Sequence, residues 1–177
     1  MSDAEDRELV EKCCGGDREA FTELVDRYQK TVFNTALRIV GDPEEAEDVA
    51  QSAFLKAYEK LDSYRPQFRF FSWIYRITVN ESLNVLRYKK HFQRLEEGEA
   101  VTEAPAVEVD QTDRIQDALM GLKLDHRVVV ILKHLQGFSY EEIATVLEIS
   151  PTKVKSRLFT ARNILKVNLK RQGFGDD

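Results

Sequence analysis

The sequence predicts an all-α fold with two small helical domains joined by a flexible acidic linker. Apolar residues recur at helical spacing on both sides of residues 95–113, capping residues precede these runs, and residues 95–113 show no 3.6 or 2.0 periodicity. A chain of 177 residues, 42% hydrophobic and 32% charged, can form one domain or two small ones. We therefore expect domains at 1–92 and 113–177, a linker at 93–112, and a helix-turn-helix in the second domain.

The composition excludes several classes of protein. No apolar run approaches the ~20 residues that a membrane-spanning helix needs, and the N-terminus is acidic, where a signal peptide would be basic and then apolar. Cys13 and Cys14 are neighbours in sequence, so they cannot easily pair with each other and lack the spacing of a zinc site. We expect a cytoplasmic protein with reduced thiols, no bound metal and no cofactor.

The N-terminal domain begins with two long amphipathic helices. Apolar residues at helical spacing predict the first over 18–40, and Gly41 ends it. Asp42 and Pro43 then supply an N-cap and a first-position proline for the second. Its apolar stripe is rich in alanine, which permits close packing: Ala46, Val49, Ala50, Ala53, Phe54, Ala57 and Leu61.

The opposite face of this second helix is acidic and polar around one leucine, Leu55, with Asp48 and Gln51 among its neighbours. An apolar side chain ringed by charge is typical of a protein-docking patch. A single exposed leucine is also ordinary on a protein surface. Both interpretations remain open on the residues alone.

A basic, aromatic-rich segment follows at residues 63–94, with seven basic side chains and one acidic one. Aromatic rings beside arginines are typical of surfaces that bind single-stranded nucleic acid, where stacking contributes roughly 1–3 kcal/mol per base. The alternative is that some of the rings belong to the core. For Trp73, Ile74 and Ile77 the shared helical face favours burial, whereas Asn80, Asn84, Arg87, Lys89 and Lys90 are predicted to face solvent.

Residues 137–166 predict a helix-turn-helix. Ser139 and Glu142 form a capping box for a short first helix, and Ser150 with Pro151 begins a second. Along the second helix an apolar stripe faces the core: Val154, Leu158, Ala161 and Leu165. Its other faces suit the major groove of DNA and carry Lys153, Lys155, Ser156, Arg157, Phe159, Thr160 and Arg162.

The distribution of charge supports a nucleic-acid partner. Residues 150–177 hold seven basic and two acidic side chains in a chain whose net charge is −5. Basic charge concentrated at a predicted recognition helix is what phosphate contact requires. Between the two basic segments, residues 95–113 hold seven acidic side chains and no basic one. Such a strand can compete with nucleic acid for basic surfaces, or it can simply be solvated.

Three blocks of sequence, in this order, resemble the two-domain bacterial sigma factors of the extracytoplasmic-function group: EDVAQSAFLKAY, FRFFSWIYRITVNESLN, and LKLDHRVVVILKHLQGFSYEEIATVLEISPTKVKSRLFTARNIL. The resemblance covers nearly the whole chain outside the linker. It implies an alternative sigma factor that binds core RNA polymerase, recognises promoters and helps to open duplex DNA. It also implies control by an anti-sigma factor. It also implies a monomer when free of partners, and no membrane insertion.

The resemblance assigns roles to residues of this chain. The residues assigned to polymerase binding are Asp48, Gln51, Phe54 and Leu55. The segment Gln67–Asn84 would read the minus-ten element with one base flipped from the stack, and the residues assigned to this element are Arg69, Phe70, Phe71, Trp73, Arg76, Asn80, Asn84 and Arg87. The minus-thirty-five element falls to Thr152, Lys153, Lys155, Ser156, Arg157, Phe159, Thr160 and Arg162. Thr160 stands where the family often has a basic residue, so the promoter sequence does not carry over.

Two other functions compete with this one. A one-component transcription regulator would explain the helix-turn-helix equally well, but it leaves the second basic, aromatic segment without a role. A nucleic-acid enzyme lacks support, because the sequence has no phosphate-binding glycine loop, no His/Glu metal motif and no nucleophile beside a base. The scattered His91, His126 and His134 do not have the spacing of a metal site.

Overall fold

The computed structural model describes residues 3–95 and 111–171, and within these residues every regular element is helical. The predicted all-α class is therefore confirmed. Most of the predicted acidic linker lies at 96–110, outside the described residues. The described residues divide into two compact units: the first contains 3–83 together with Thr145–Glu148, and the second contains the rest of the chain from Asn84 onward. The predicted domain limits at 92 and 113 remain a prediction.

The first unit is built from α1 (Asp3–Cys14), α2 (Arg18–Val40), α3 (Pro43–Glu59), a 3-10 turn (Leu61–Ser63) and the first half of α4 (Phe70–Leu95). Its caps are local. The Asp17 carboxylate accepts hydrogen bonds from the backbone N–H groups of Glu19 at 3.0 Å and Ala20 at 3.3 Å. Asp42 accepts from the N–H of Glu45 at 2.9 Å, so α3 begins at Pro43 as predicted.

Gly41 ends α2 in the left-handed conformation, with a φ of +88°. Its N–H donates to the carbonyl of Leu37 at 2.9 Å and so satisfies one of the last free carbonyls of the helix. A residue with a Cβ would be strained there. This turn places α3 against α2, and the alanines of the predicted stripe allow close approach: Ala46, Ala53 and Ala57 are completely buried.

The remaining elements are α5 (Gln111–Met120), α6 (Leu124–Val130) with a π-helical turn (Ile131–Leu135), α7 (Tyr140–Leu147) and α8 (Pro151–Arg171). They belong to the second unit, except for the last three residues of α7, which group with the first. Helix α8 packs on α5 and α6. Among the described residues of the second unit, Arg127 is the one buried charged or polar residue, at 7% exposure. The Arg127 guanidinium donates to the carbonyls of Leu119 at 3.0 Å, Met120 at 3.0 Å and Leu122 at 3.3 Å, and thereby caps the end of α5.

Two predictions about the whole chain can be compared with this structure. Cys13 and Cys14 are free thiols at the end of α1, as expected. Burial is the main cause that raises the pKa of each thiol, so neither has the lowered pKa of a reactive cysteine. Among residues 3–95 and 111–171, no helix is both long and apolar enough to cross a membrane.

Candidate nucleic-acid interface

The helix-turn-helix begins with the predicted capping box. The N–H of Ser139 donates to the Glu142 carboxylate at 2.8 Å, and the N–H of Glu142 donates to the Ser139 hydroxyl at 3.1 Å. Helix α7 ends where Glu148 adopts a left-handed φ of +54°. This left-handed turn could not be predicted from the sequence, because the turn contains no glycine. A bond from the N–H of Ile149 to the carbonyl of Ala144 at 3.0 Å closes it.

Helix α8 then starts at Pro151, and the Ser150 hydroxyl accepts from the N–H of Lys153 at 3.2 Å. The predicted core stripe is largely correct: Val154, Leu158 and Ala161 are buried, and Leu165 is half-buried. Among the residues assigned to the minus-thirty-five element, those that project into solvent are Thr152, Lys153, Lys155, Ser156, Phe159, Thr160 and Arg162. Phe159 is 69% exposed. An exposed ring of this kind is available to contact a thymine methyl group in the major groove.

Arg157 differs from the other residues assigned to the DNA-reading face. It pairs with the carboxylate of Asp125 at the start of α6, and its side chain is only 18% exposed. An arginine held in this way orients α8 on α6 rather than offering its guanidinium freely to a base. Arg157 is therefore less accessible to DNA than the exposed residues assigned to the same face.

Two cation contacts lie at the edges of the helix-turn-helix. The Lys155 ammonium lies 5.7 Å from the ring centroid of Tyr140. Arg162 donates from Nε to Nε2 of His134 at 3.3 Å. Burial, followed by the charges of Arg162 and Lys133, lowers the pKa of His134, so its neutral form is favoured.

The residues assigned to the minus-ten element differ in exposure. Arg69, Asn80, Asn84 and Arg87 are exposed, and Phe71, Trp73 and Arg76 are half-buried. Arg87 donates to the Asn84 side chain at 3.4 Å. The one acidic residue of the basic segment, Glu81, pairs with Lys56 at 2.5 Å. This ion pair offsets the negative charge within the basic segment.

The assignment of Phe70 to the minus-ten element is wrong, because Phe70 lies in the core. Its side chain is 1% exposed, and its ring centroid lies 5.6 Å from that of Tyr28, 5.8 Å from Tyr64 and 5.7 Å from Trp73. A ring enclosed by three others cannot stack on a base without leaving the core. Ile74 is completely buried, as predicted, while Trp73 and Ile77 are only half-buried.

The acidic face of α3 forms one wall of an apolar groove, and α2 forms the other. Leu55 is 61% exposed, Asp48 and Gln51 are exposed, and Phe54 is half-buried. The sequence does not predict the α2 wall, because residues 18–40 indicate only an amphipathic helix. Groove-lining residues on α2 are Phe21, Val25, Asp26, Gln29, Lys30 and Phe33. The ring of Phe21 meets that of Tyr58 edge-on, with centroids 4.9 Å apart.

The fold and these surfaces define a helical DNA-binding protein with a helix-turn-helix in its second unit. Two family models match the chain: Sigma-70 region 2 over residues 24–92 and Sigma-70 region 4 over residues 112–165. The RNA polymerase sigma-H factor of Pseudomonas aeruginosa is 33% identical, and the match covers 93% of this chain and 94% of that protein. The ECF RNA polymerase sigma-E factor of Escherichia coli is 34% identical over 90% of this chain and 92% of its own.

Solved structures agree. CnrH, in complex with the cytosolic domain of CnrY, superposes with a TM-score of 0.74 at 28% identity, covering 94% of this chain and 98% of CnrH. The sigma factor RpoE of Bartonella quintana, in complex with the anti-sigma factor NepR, gives 0.73 at 27% identity over 85% and 96%. The chain belongs to the extracytoplasmic-function group of sigma factors. It is an alternative sigma factor that acts with RNA polymerase in promoter recognition and transcription initiation.

Proposed function

We propose that three surfaces of this sigma factor each bind a different partner during transcription initiation. The α2–α3 groove binds core RNA polymerase. The exposed side of the Gln67–Asn84 segment, with Arg87, binds the melted minus-ten element, and the outer face of α8 binds the minus-thirty-five element. Of the one-component regulator and the sigma factor, only the sigma factor uses all three surfaces. The family matches at 24–92 and 112–165 support placing the two DNA-reading functions in separate domains.

The exposed Leu55 is the observation that carries the polymerase assignment. A leucine 61% exposed beside an apolar groove, with acidic and amide side chains around it, has the composition of a protein interface. Hot spots in such interfaces lie where apolar anchors are fully desolvated on binding. Leu55 and the neighbouring Phe54 are the apolar anchors of this groove, Gln51 is a polar residue that lines it, and Asp48 is exposed nearby on α3.

A pull-down with core RNA polymerase tests this assignment. We expect the double variant Asp48→Ala/Leu55→Ala to lose core binding, while its helical circular dichroism stays that of the wild type. The matched control is Glu11→Ala/Val167→Ala, which also removes one exposed acid and one exposed apolar side chain but lies outside the groove. Core affinity that is equal in the two double variants would contradict the proposal.

For the minus-ten element, the exposed Arg69 and Asn80 and the half-buried rings of Phe71 and Trp73 support contact with unpaired bases. The full chain bound to core polymerase can be titrated with single-stranded and duplex oligonucleotides of one sequence at fixed salt, because counterion release alone shifts affinity steeply. We expect a preference for the single strand that Asn80→Ala weakens. A preference for duplex would contradict the melting role.

An anti-sigma factor is the further partner we propose, since the similar RpoE was solved bound to one. Binding of an anti-sigma factor would cover surfaces that polymerase needs, and it would keep the sigma factor inactive as a cytoplasmic monomer. Affinity capture of the wild-type chain, with and without added core polymerase, tests this. A captured protein that core polymerase does not displace would contradict competition for a shared surface.

A further inference from the structure

Helix α1 precedes the Sigma-70 region 2 match, which begins at residue 24, and none of the functions proposed above uses it. It is a strongly acidic helix that packs on α2 and on the 3-10 turn at Leu61–Ser63. Most of its acids face solvent, but Asp6 is 2% exposed. A buried carboxylate is costly unless its oxygens are paired, so the partners of Asp6 indicate what it does.

Both oxygens of Asp6 have partners on α2. The Tyr28 hydroxyl donates to Oδ2 at 2.5 Å, and the Arg27 guanidinium donates to Oδ1 at 2.7 Å. Arg27 also bonds Glu23 at 3.1 Å, so its own position is fixed. Burial, and next the bond to Asp6, raise the pKa of Tyr28 far above its usual range. The phenol therefore remains a hydrogen-bond donor at any pH at which the protein works.

The hydrogen bonds among Asp6, Tyr28 and Arg27 form a network, and the ring of Tyr28 connects this network to α4. Its centroid lies 5.6 Å from that of Phe70 and 6.0 Å from that of Phe71, the first two residues of the helix. The Phe70 ring in turn contacts Trp73 at 5.7 Å. The Tyr28 side chain is therefore bonded at its hydroxyl to Asp6 and packed through its ring on the first two residues of α4. The orientation of α4 sets the direction of its exposed side.

A second contact joins α1 to the same segment on the surface. Arg69 donates from Nε to the carboxylate of Asp3 at 2.9 Å. Both side chains are about half exposed, so this pair contributes little by itself. It nevertheless shows that α1 contacts the beginning of α4 at an exposed point as well as through the buried Tyr28.

We propose that α1 positions the minus-ten segment, and that Asp6 is the positioning residue, acting through Tyr28 on Phe70 and Phe71. This rests on the proposed assignment of Gln67–Asn84 to the minus-ten element. A segment already held in its binding conformation loses less conformational entropy when it binds, which increases affinity without any new contact. Asp6 therefore affects single-strand binding while touching no base.

The experiment uses the full chain with Asp6→Asn, which keeps the shape but removes the charge, and Tyr28→Phe, which keeps the ring but removes the hydroxyl. Trp73 is the only tryptophan and packs on Phe70 and Tyr64, so its fluorescence reports the packing of this segment. The control is Ile39→Val, completely buried in α2, which costs about 0.5–1.5 kcal/mol of stability without touching the network.

We expect each network variant to shift the Trp73 emission and to weaken binding of a single-stranded oligonucleotide, selected from a random pool with the wild-type holoenzyme, by roughly tenfold, equivalent to about 1.4 kcal/mol. Core polymerase affinity should stay unchanged. Asp6→Asn leaves one acceptor oxygen for the two donors Tyr28 and Arg27, and Tyr28→Phe removes one of those donors. Because both variants act on the same contact, the double variant should lose less than the sum of the two single losses. Ile39→Val should bind the oligonucleotide as the wild type does.

Two results would overturn the proposal: unchanged single-strand affinity in both Asp6→Asn and Tyr28→Phe, or a loss no larger than that of an equally destabilised Ile39→Val. A wild-type holoenzyme that selects no single-stranded sequence from the pool would instead contradict the proposed minus-ten function. The two failures are therefore distinguishable.

Discussion

Arg157 on the recognition helix pairs with Asp125 on α6, and this pair holds the arginine side chain at 18% exposure while the aspartate side chain remains 64% exposed. The guanidinium is thus directed back toward its own unit. Lys153, Lys155 and Phe159, on the same helix, are exposed. Two kinds of residue therefore occur on the α8 surface: those available to DNA, and one that fixes the helix.

Asp125→Asn tests this division. The variant removes a negative charge near the DNA-binding helix and loosens Arg157, so we expect affinity for duplex promoter DNA to rise by a similar factor on every sequence, with a stability loss of no more than about 1 kcal/mol. Arg157→Ala should lower affinity uniformly across sequences. Titrations of a duplex library at two salt concentrations measure both effects. If Arg157→Ala altered the preference at a single base pair, Arg157 would be a base-reading residue.

Sequence discrimination should depend on the exposed face of α8. We expect Lys155→Ala, Ser156→Ala and Phe159→Ala each to lose about 1–3 kcal/mol at one position of the minus-thirty-five element. Lys170→Ala, an exposed charge near the C-terminal end of the same helix, is the matched control and should weaken binding on every sequence. Binding across a promoter library checks this. Equal losses on all sequences for the first three variants would contradict the assignment.

The features that the sequence predicts well are local ones. The capping box of Ser139 and Glu142 and the caps at Asp42 and Ser150 depend on residues no more than three apart, and all form as expected. Helix α2 ends at Gly41 because Gly41 adopts a left-handed backbone conformation that only glycine adopts easily. Helical periodicity likewise identified the buried stripe of α8, apart from the half-buried Leu165.

Long-range partners could not be predicted in this way. A segment with rings on all sides, such as Phe68–Tyr75, has no periodicity that separates core from surface, so Phe70 was assigned to DNA although it is buried. Asp6 and Arg127 look like ordinary surface charges in sequence, and only their distant partners show that they are buried. The role of α2 in the groove was hidden because its apolar stripe is wider than the surface that α3 covers.

Arg127 should be important for the stability of the second unit. Arg127→Met keeps the length of the side chain but leaves the carbonyls of Met120 and Leu122 without this donor, and each buried group left unsatisfied costs about 1–3 kcal/mol. We expect a total loss of more than about 2 kcal/mol in the free energy of unfolding by urea. Lys123→Met, at an exposed position nearby, is the control. A change within about 0.5 kcal/mol, as at ordinary surface sites, would contradict this role.

The stability of the second unit should also depend on pH through His134. Its pKa is lowered by burial and then by Arg162 and Lys133, so the folded state binds this proton less readily than the unfolded chain does. The contribution of His134 is therefore fully present above the unfolded value of about 6.5 and is lost as pH falls below it. Protonation also removes the Nε2 lone pair that accepts the bond from Arg162.

His134→Gln isolates this effect, because glutamine offers an acceptor to Arg162 but does not titrate. We expect the free energy of unfolding of the wild type to fall more between about pH 7.5 and pH 5.5 than that of the variant, since the acidic residues titrate in both proteins and cancel in the difference. Urea denaturation at each pH provides the measurement. Parallel pH profiles for the two proteins would mean that His134 titrates alike in the folded and unfolded chains, and that its bond with Arg162 does not contribute to folding.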